Sequence, residues 1–472
     1  MEQRTKRNHP LHDLVSEYEA MVDRGDTAYL EEKNFFELIG YYEEDFQIDK
    51  AIKVTEHALS QYSYCVDFYL IAARLFLQNK NFEYGQQILH KAEMISPNDI
   101  EVKLLKARIM AKTGEPDKAL NLLSTCKKLV TGMDKIEFYL AEASVHEAMK
   151  DFSRMFKSLS KALRLDPQNE VALEKMWMCV ELTKKFKESV KIHEKVLDHD
   201  AYNYLAWFNL GHGLAGIGEY YKAINAMEYS FIINDEFELG YLDCAELCCQ
   251  VQDYPKALRI YLEIAEQFES EEELLVQIAD CYIHLGDYTK AKTYLIQALN
   301  QDQYNDEIYY FLGLCFMKEG KISNAITSFQ KAIKIEDRRE EYYCDLAQAY
   351  VANDEFGKAE FCFQRATEIG PEQEQYWVKH AQFLLQKQHP DKAMIVMEDA
   401  DLHAVGPMLA YCRVACLYAN NQRKEALKCL EEALIEDTKW HHILFETFPA
   451  IKEDKAICSM VQYYKGEAAY TI

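Results

Sequence analysis

Residues 288–295 read YTKAKTYL, and residues 322–329, which begin 34 positions later, read ISNAITSF. Similar phrases recur as YYKAINAM at 220–227, YPKALRIY at 254–261, FGKAEFCF at 356–363 and PDKAMIVM at 390–397. The alanine of each phrase therefore returns at one constant spacing, at Ala223, Ala257, Ala291, Ala325, Ala359 and Ala393. A fixed period of this length is typical of a repeat architecture.

The same register extends to both sides with two irregular steps. Toward the N-terminus it passes through Ser189, Met155, Ala119, Gly85 and Ala51, with one longer step, of 36 positions, between Ala119 and Met155. Toward the C-terminus a step of 33 positions ends at Ala426. We therefore expect about twelve repeats over residues 32–440. The expected boundaries are 32–65, 66–99, 100–135, 136–169, 170–203, 204–237, 238–271, 272–305, 306–339, 340–373, 374–407 and 408–440.

Each repeat has the pattern of two amphipathic helices. In residues 306–339, Ile308, Leu312 and Phe316 recur at helical spacing, and a second such set follows Gly320. A glycine suits the left-handed position at which a helix ends. Alternation of period two is not sustained anywhere, and glycine and proline are scarce, at 17 and 9 residues. The sequence predicts an all-α fold.

The repeats resemble the tetratricopeptide repeat family. That family carries W-x2-L-G-x2-Y, then A-x3-F, in a helix–turn–helix of about 34 residues. Here Trp207, Leu210, Gly211 and Leu214 fill the first motif, and Ala223 with Met227 fills the second. The resemblance implies a right-handed α-solenoid superhelix with helical caps. The chain also looks like uncharacterised bacterial cytoplasmic tetratricopeptide proteins with a similar ending, FETFPAIKED at 445–454.

Small residues recur where the two helices of a repeat are expected to cross, because a bulky side chain there would separate the backbones. Ile39 and Trp177 depart from this rule. Trp177 predicts a kink or a wider helix crossing in the fifth repeat. Outside the repeats, we expect a disordered start with an N-terminal capping helix in residues 1–31 and C-terminal capping helices in residues 441–472.

Composition and charge exclude several classes of protein. The net charge of −25 repels a nucleic-acid backbone unless basic residues cluster. The sequence has neither an apolar run long enough to span a membrane nor an export signal at its start. We expect a cytoplasmic protein with no nucleic-acid or membrane partner. Its 14 cysteines are expected to be reduced and mostly buried.

Two motifs that suggest chemistry are better explained by packing. Gly211, Gly213 and Gly216 match a dinucleotide fingerprint, but that fingerprint follows a strand, whereas Trp207 already lies on the predicted helix. We interpret these glycines as a soft joint or a close backbone approach. Cys244 and Cys248 have no second ligand pair for zinc. No catalytic motif is present, so we expect no enzyme activity, no cofactor and no metal.

The family resemblance places the candidate binding site on a concave surface lined by the first helix of each repeat. It implies a peptide or helix as the partner, and we expect it between the sixth and tenth repeats. The candidate residues, taken as solvent-facing, are Phe208, Asn209, His212, Leu242, Glu246, Val276, Asp280, Tyr310, Leu314, Cys344 and Gln348. Aromatic groups beside carboxylates suit a partially basic, amphipathic segment.

Three functions remain open from the sequence. A non-catalytic protein–protein interaction scaffold is favoured. The alternatives are a regulatory or substrate-recruiting subunit of an enzyme complex, and a solenoid that binds RNA or a small ligand. The basic clamp with which some family members bind chaperones is not carried over, because only Lys33 has a suitable character at the corresponding positions.

Overall fold

The computed structural model describes residues 8–24, 29–268 and 271–467. Residues 1–7 of the expected disordered start lie outside these ranges, and the helix begins at Asn8. The chain divides into two compact units, Met1–Leu247 and Cys248–Ile472. Within the described ranges the regular structure is α-helix and short 3-10 helix, without strands. The prediction of an all-α fold of consecutive helical repeats is confirmed.

The first unit opens with α1, Asn8–Asp23, and continues as antiparallel helix pairs. In each pair the even-numbered helix is called the A helix and the odd-numbered one the B helix. The pairs are α2 Glu32–Glu44 and α3 Ile48–Gln61, α4 Val66–Gln78 and α5 Phe82–Ile95, α6 Ile100–Lys112 and α7 Pro116–Cys126, α8 Asp134–Ala148 and α9 Phe152–Leu165, α10 Glu170–Thr183 and α11 Phe186–His199, and α12 Tyr204–Gly216 and α13 Tyr220–Ile233.

Helix α14, Glu238–Gln250, contains the boundary between the units, and the second unit continues the same alternation. Its helices are α15 Tyr254–Gln267, α16 Glu272–His284, α17 Tyr288–Gln301, α18 Asp306–Lys318, α19 Ile322–Ile335, α20 Glu340–Ala352, α21 Phe356–Ile369, α22 Glu374–Gln386, α23 Pro390–His403, α24 Pro407–Ala419 and α25 Arg423–Glu436. After a 3-10 turn at Thr438–Trp440 come α26 His441–Thr447, a second 3-10 turn at Pro449–Glu453 and α27 Lys455–Glu467.

The sequence encodes both ends of these helices. Asn305 caps α18, because its side-chain oxygen accepts hydrogen bonds from the backbone N–H groups of Glu307 and Ile308, which have no partner within the helix. The turn between α18 and α19 contains Gly320 at φ +74°, a left-handed conformation that glycine adopts without a steric penalty. The glycine at the predicted helix end therefore sets the antiparallel turn.

The residues of the 34-residue register form the core of the helix pairs. The six alanines Ala223, Ala257, Ala291, Ala325, Ala359 and Ala393 are all fully buried. On the A helices, a Cβ added at Gly313 would lie 2.5 Å from a ring carbon of Phe329, which is itself buried. The crossing therefore accepts only a small residue, as the sequence predicts.

Trp177 marks an exception in the first unit. Helices α10 and α11 pack less closely with each other than the two helices of any other pair in this unit, which confirms the wider crossing predicted from Trp177. Helix α11 packs on α12 instead. A Cβ at Gly213 would meet the Val190 side chain at 2.9 Å, and one at Gly216 would meet the Phe186 ring at 2.2 Å. Because these two glycines have no side chain, α11 of the same chain can pack closely against α12.

The cysteines behave as small apolar residues. All 14 are free thiols, and ten of them are buried. Cys412 and Cys416 are also fully buried within the second unit, because α24 is enclosed by α22, α25 and α26. Among the described helices, none has both the length and the apolar character needed to cross a membrane.

Candidate functional site

A pocket of about 290 Å³ opens between three successive A helices of the second unit, α16, α18 and α20. We call it the A-helix pocket. Its lining combines apolar, aromatic and charged groups, among them Val276, Asp280, Glu307, Tyr310, Arg339 and Tyr342. Three of the candidate residues predicted from the sequence, Val276, Asp280 and Tyr310, are thereby brought together.

Tyr310 is held in one orientation by contacts on both its ring and its hydroxyl. The ring stacks on Tyr342, with centroids 4.7 Å apart. The hydroxyl donates a hydrogen bond of 2.7 Å to Oδ2 of Asp345 on α20. Burial, followed by the negative charge of Asp345, raises the pKa of Tyr310, so the phenol stays neutral. Tyr310 remains partly exposed, so it offers an aromatic surface of fixed orientation.

Arg339 contributes a positive charge that is already neutralised. Its guanidinium lies 2.9 Å from Glu307 Oε1 and 3.5 Å from Glu341 Oε1. A third carboxylate, Asp306, lies 3.9 Å away and accepts a 2.6 Å hydrogen bond from the Tyr342 hydroxyl. Because carboxylates outnumber this guanidinium, the pocket carries a net negative charge.

Asp280 is the carboxylate of the pocket lining that does not pair with Arg339, whereas Glu307 and Glu341 do. Its side chain is about a quarter exposed, and the imidazole of His284 lies 3.6 Å away, one helical turn further along α16. Burial raises the pKa of Asp280, an effect that His284 partly offsets. An ionised carboxylate that carries a desolvation cost is stabilised by any positive group that approaches it.

Two candidates of the second unit lie near the pocket and two are buried. Leu314 packs partly buried against the core, and the exposed Gln348 donates a hydrogen bond of 2.9 Å to Asp345. Val276 is 4% exposed and Cys344 is 1% exposed. The expectation that these two face solvent is wrong, because both side chains are buried within the second unit.

In the first unit, Phe208 and Asn209 are both 1% exposed, so the prediction that they face solvent is wrong. The Phe208 ring packs edge-to-face against Phe237, at 5.1 Å between centroids. Asn209 Nδ2 donates to the carbonyl oxygens of Leu173 and Leu205, at 3.0 and 2.8 Å. Both side chains therefore stabilise the packing of α12 against its neighbours and are not available to contact a ligand.

The other candidates of the first unit are more accessible. His212 is partly buried, donates from Nε2 to Asp243 Oδ2 at 2.8 Å, and stacks on Trp177 at 5.7 Å. Leu242 is partly buried and Glu246 is exposed. The hydrogen bond between His212 and Asp243 links consecutive A helices, and it gives these positions a structural role.

Four residues in or beside the pocket were not predicted from the sequence, namely Glu307, Arg339, Tyr342 and Asp345. The first three lie in or just before the first turn of an A helix, whereas the candidates were selected from the middle of each helix. The available signal was the 34-residue spacing itself, since Asp345 occupies the same register position as Asp243. Within the described residues, no group of three histidine, cysteine or acidic side chains is arranged to hold a metal.

Two family models match parts of the chain. Residues 136–169 match the tetratricopeptide repeat model, and residues 242–364 match the model of the coatomer epsilon subunit. No significant match was found among curated proteins.

Solved structures show distant similarity. Yeast Tom70 is 15% identical with a TM-score of 0.45, over 91% of this chain and 95% of that one. The APC/C hetero-tetramer Cut9–Hcn1 contains a chain that is 14% identical with a TM-score of 0.39, over 90% of this chain and 95% of that one. A tetratricopeptide repeat protein from Parabacteroides merdae is 18% identical with a TM-score of 0.40, over 52% of this chain and 98% of that one. The family-model match identifies a tetratricopeptide repeat at 136–169, and consecutive helix pairs continue on both sides of it.

Proposed function

We propose that the chain is a non-catalytic interaction scaffold of the cytoplasm, and that the A-helix pocket binds a peptide or helix of a protein partner with basic, amphipathic character. The observation that carries this proposal is the arrangement of Tyr310 beside Asp280. A partly exposed aromatic ring lies next to a carboxylate, in a pocket whose lining guanidinium, that of Arg339, is already paired.

The arrangement favours an anchored partner. Aromatic side chains at the centre of an interface supply much of the binding energy, and the Tyr310 ring loses little entropy because it is already fixed by Tyr342 and Asp345. The net charge of −25 attracts a basic segment over a long range, which raises the association rate more than the affinity. The same charge disfavours RNA at this pocket.

A second role is compatible with the first. The match of residues 242–364 to the coatomer epsilon subunit model supports a chain that works as a subunit of a larger assembly. In that case the A-helix pocket would bind another subunit.

The proposal is tested by panning a library of random peptides on the immobilised full chain. Each peptide is about 15 residues long, which allows about four helical turns. We expect the enriched peptides to combine lysine or arginine with an aromatic or leucine residue. Their affinity for the Asp280→Asn variant should fall about tenfold, which corresponds to ~1.4 kcal/mol.

The matched control is Asp337→Asn, which removes the same charge from an exposed loop position in the same unit. It should bind the selected peptides as the wild type does. Enrichment of acidic peptides, or an equal loss of affinity in both variants, would contradict the proposal.

A further inference from the structure

The B helix of the fourth repeat has an unusual charge pattern for so acidic a chain. Helix α9 reads FSRMFKSLSKALRL and contains no acidic residue. Its four cations, Arg154, Lys157, Lys161 and Arg164, recur at successive i+3, i+4 and i+3 positions, so they lie along one side of the helix. Arg154 pairs with Asp151 at 3.3 Å, and the other three cations form a positive region in a protein of net charge −25.

A second basic stripe faces this one. A cleft of about 490 Å³ lies between α9 and α11, both in the first unit. Lys157, Lys161 and Arg164 line it from α9, and Lys191 and Lys195 line it from α11. The acidic residue in its lining is Glu188, so the cleft carries an excess of four positive charges, apart from His199 at its end. We call it the basic cleft.

The loose packing of the fifth repeat explains why the cleft is there. Since α11 packs on α12 and not closely on α10, a space is left between α11 and α9. Apolar groups form its floor, namely Phe156, Leu163, Ile192 and Val196. Ile192 remains partly exposed. The cleft therefore combines an apolar floor with a positively charged rim.

The rim cations have no ion-pair partners among the described residues. Elsewhere in this unit, Lys106 lies 2.7 Å from Glu93 and Lys175 lies 2.7 Å from Glu147. In contrast, Lys157, Arg164, Lys191 and Lys195 make no salt bridge within the described ranges, and Lys161 instead lies over the ring of Tyr139 at 5.0 Å. The five cations of the lining outnumber its one carboxylate, so they repel each other, and an acidic ligand relieves that repulsion.

We propose that the basic cleft is a second interaction surface, which binds an acidic amphipathic helix of a protein partner. The apolar face of that helix would cover Ile192 and Pro167, the partly exposed apolar residues of the lining, and its carboxylates would pair with the lysines on both sides. Helix α9 has 14 residues and is therefore ~21 Å long, which matches a partner helix of about four turns. The apolar floor favours such a helix over a nucleic acid, whose phosphates would use only the rim.

The test uses the full chain and a fluorescein-labelled peptide that is about 14 residues long, to match the length of α9. In this peptide, leucines at helical i, i+3, i+4 and i+7 spacing alternate with glutamates. Fluorescence anisotropy should show binding at micromolar to high-micromolar concentration. The triple variant Lys157→Glu, Lys161→Glu and Lys191→Glu should weaken binding by about tenfold or more. Raising the salt concentration should weaken binding by the wild type in the same direction.

The matched control is Lys53→Glu, Lys91→Glu and Lys334→Glu, which changes the total charge equally at exposed lysines on other B helices. We expect it to bind the peptide within about twofold of the wild type, with the small residual loss due to long-range charge. A scrambled peptide of the same composition, which lacks the apolar face, should bind at least about tenfold more weakly.

Three results would overturn the proposal. The first is no binding by the wild type at about 1 mM peptide, and the second is an equal loss in the two triple variants. The third is tighter binding of a single-stranded DNA or of the scrambled peptide, which would make the cleft a general polyanion site. Sedimentation of the chain alone provides a further check, because self-association that the cleft variant abolishes would assign the cleft to a second copy.

Discussion

The hydroxyl of Tyr310 on α18 donates a hydrogen bond of 2.7 Å to Asp345 on α20. This contact joins the A helices of two consecutive repeats at the edge of the A-helix pocket. Asp345 also accepts a hydrogen bond from Gln348 of its own helix. The same bond that holds the proposed binding surface in shape therefore also contributes to the stacking of repeats.

Removing that hydrogen bond should cost stability without changing the packing of the ring. We expect Tyr310→Phe to lower the free energy of unfolding by about 1 kcal/mol, because Asp345 loses a hydrogen-bond donor and keeps Gln348. Urea unfolding followed by circular dichroism measures the difference. Tyr304→Phe, at a tyrosine that is 81% exposed in the same unit, should leave the midpoint unchanged.

Phe208 should behave as a core residue and not as a binding residue. We expect Phe208→Ala to lower the free energy of unfolding by about 3–5 kcal/mol, because loss of the buried ring leaves a cavity between α10 and α12. Tyr202→Ala removes an aromatic ring that is 81% exposed in the same unit, and should cost less than about 0.5 kcal/mol. Similar stabilities of the two variants would show that Phe208 is not packed as described.

The small residue at the helix crossing can be tested within the second unit. Gly313→Ala should lower the free energy of unfolding by about 1–3 kcal/mol, because the added Cβ would lie 2.5–2.9 Å from three ring carbons of Phe329. Gly357→Ala should be neutral or stabilise by up to ~1 kcal/mol, since no heavy atom lies within 4 Å of the added Cβ and alanine favours the helix. The thermal unfolding midpoints of the two variants should shift in opposite directions from that of the wild type, or Gly313→Ala should at least unfold at a clearly lower temperature than Gly357→Ala.

Acid should destabilise the chain through His193. Burial lowers the pKa of His193 to about 4, whereas the unfolded value is near 6.5. Between these values the unfolded chain binds a proton that the folded chain does not. The contribution of His193 to the free energy of unfolding is therefore constant above pH ~6.5. As the pH falls from there toward ~4, the free energy of unfolding decreases by up to about 3 kcal/mol.

The measurement is urea unfolding of the wild type and His193→Gln between about pH 7 and pH 4.5. The loss of stability should be smaller in the variant, because one of the groups that drives it is absent. His199→Gln, at an exposed histidine of the same helix, should keep the wild-type slope. An unchanged slope in His193→Gln would contradict the assignment.

The sequence was sufficient for the fold because the repeat register constrains every helix pair. The spacing of Ala223, Ala257 and Ala291 predicted the helix pairs, and the bulk of Trp177 predicted the loose crossing in the first unit. Both are short-range consequences of side-chain size at a helix contact. They need no knowledge of more distant parts of the chain.

The sites were harder to predict, because they depend on which face of a helix its neighbours cover. Phe208 and Tyr310 occupy equivalent positions three repeats apart, yet Phe208 is enclosed by Trp177 and Phe237 whereas Tyr310 is partly exposed. The basic cleft shows the same difficulty. Its two stripes are visible in the sequence, but the displacement of α11 that makes them face each other is not.

The proposed function is tested most directly by titrating one lysine-containing peptide, selected on the full chain, against the wild type, Tyr310→Phe and Tyr310→Ala in an anisotropy assay. We predict that Tyr310→Phe binds within about threefold of the wild type, because the aromatic surface remains. Tyr310→Ala should bind about thirtyfold more weakly, a loss of ~2 kcal/mol, while its circular dichroism spectrum stays helical. Wild-type affinity in a folded Tyr310→Ala variant would contradict binding at the A-helix pocket.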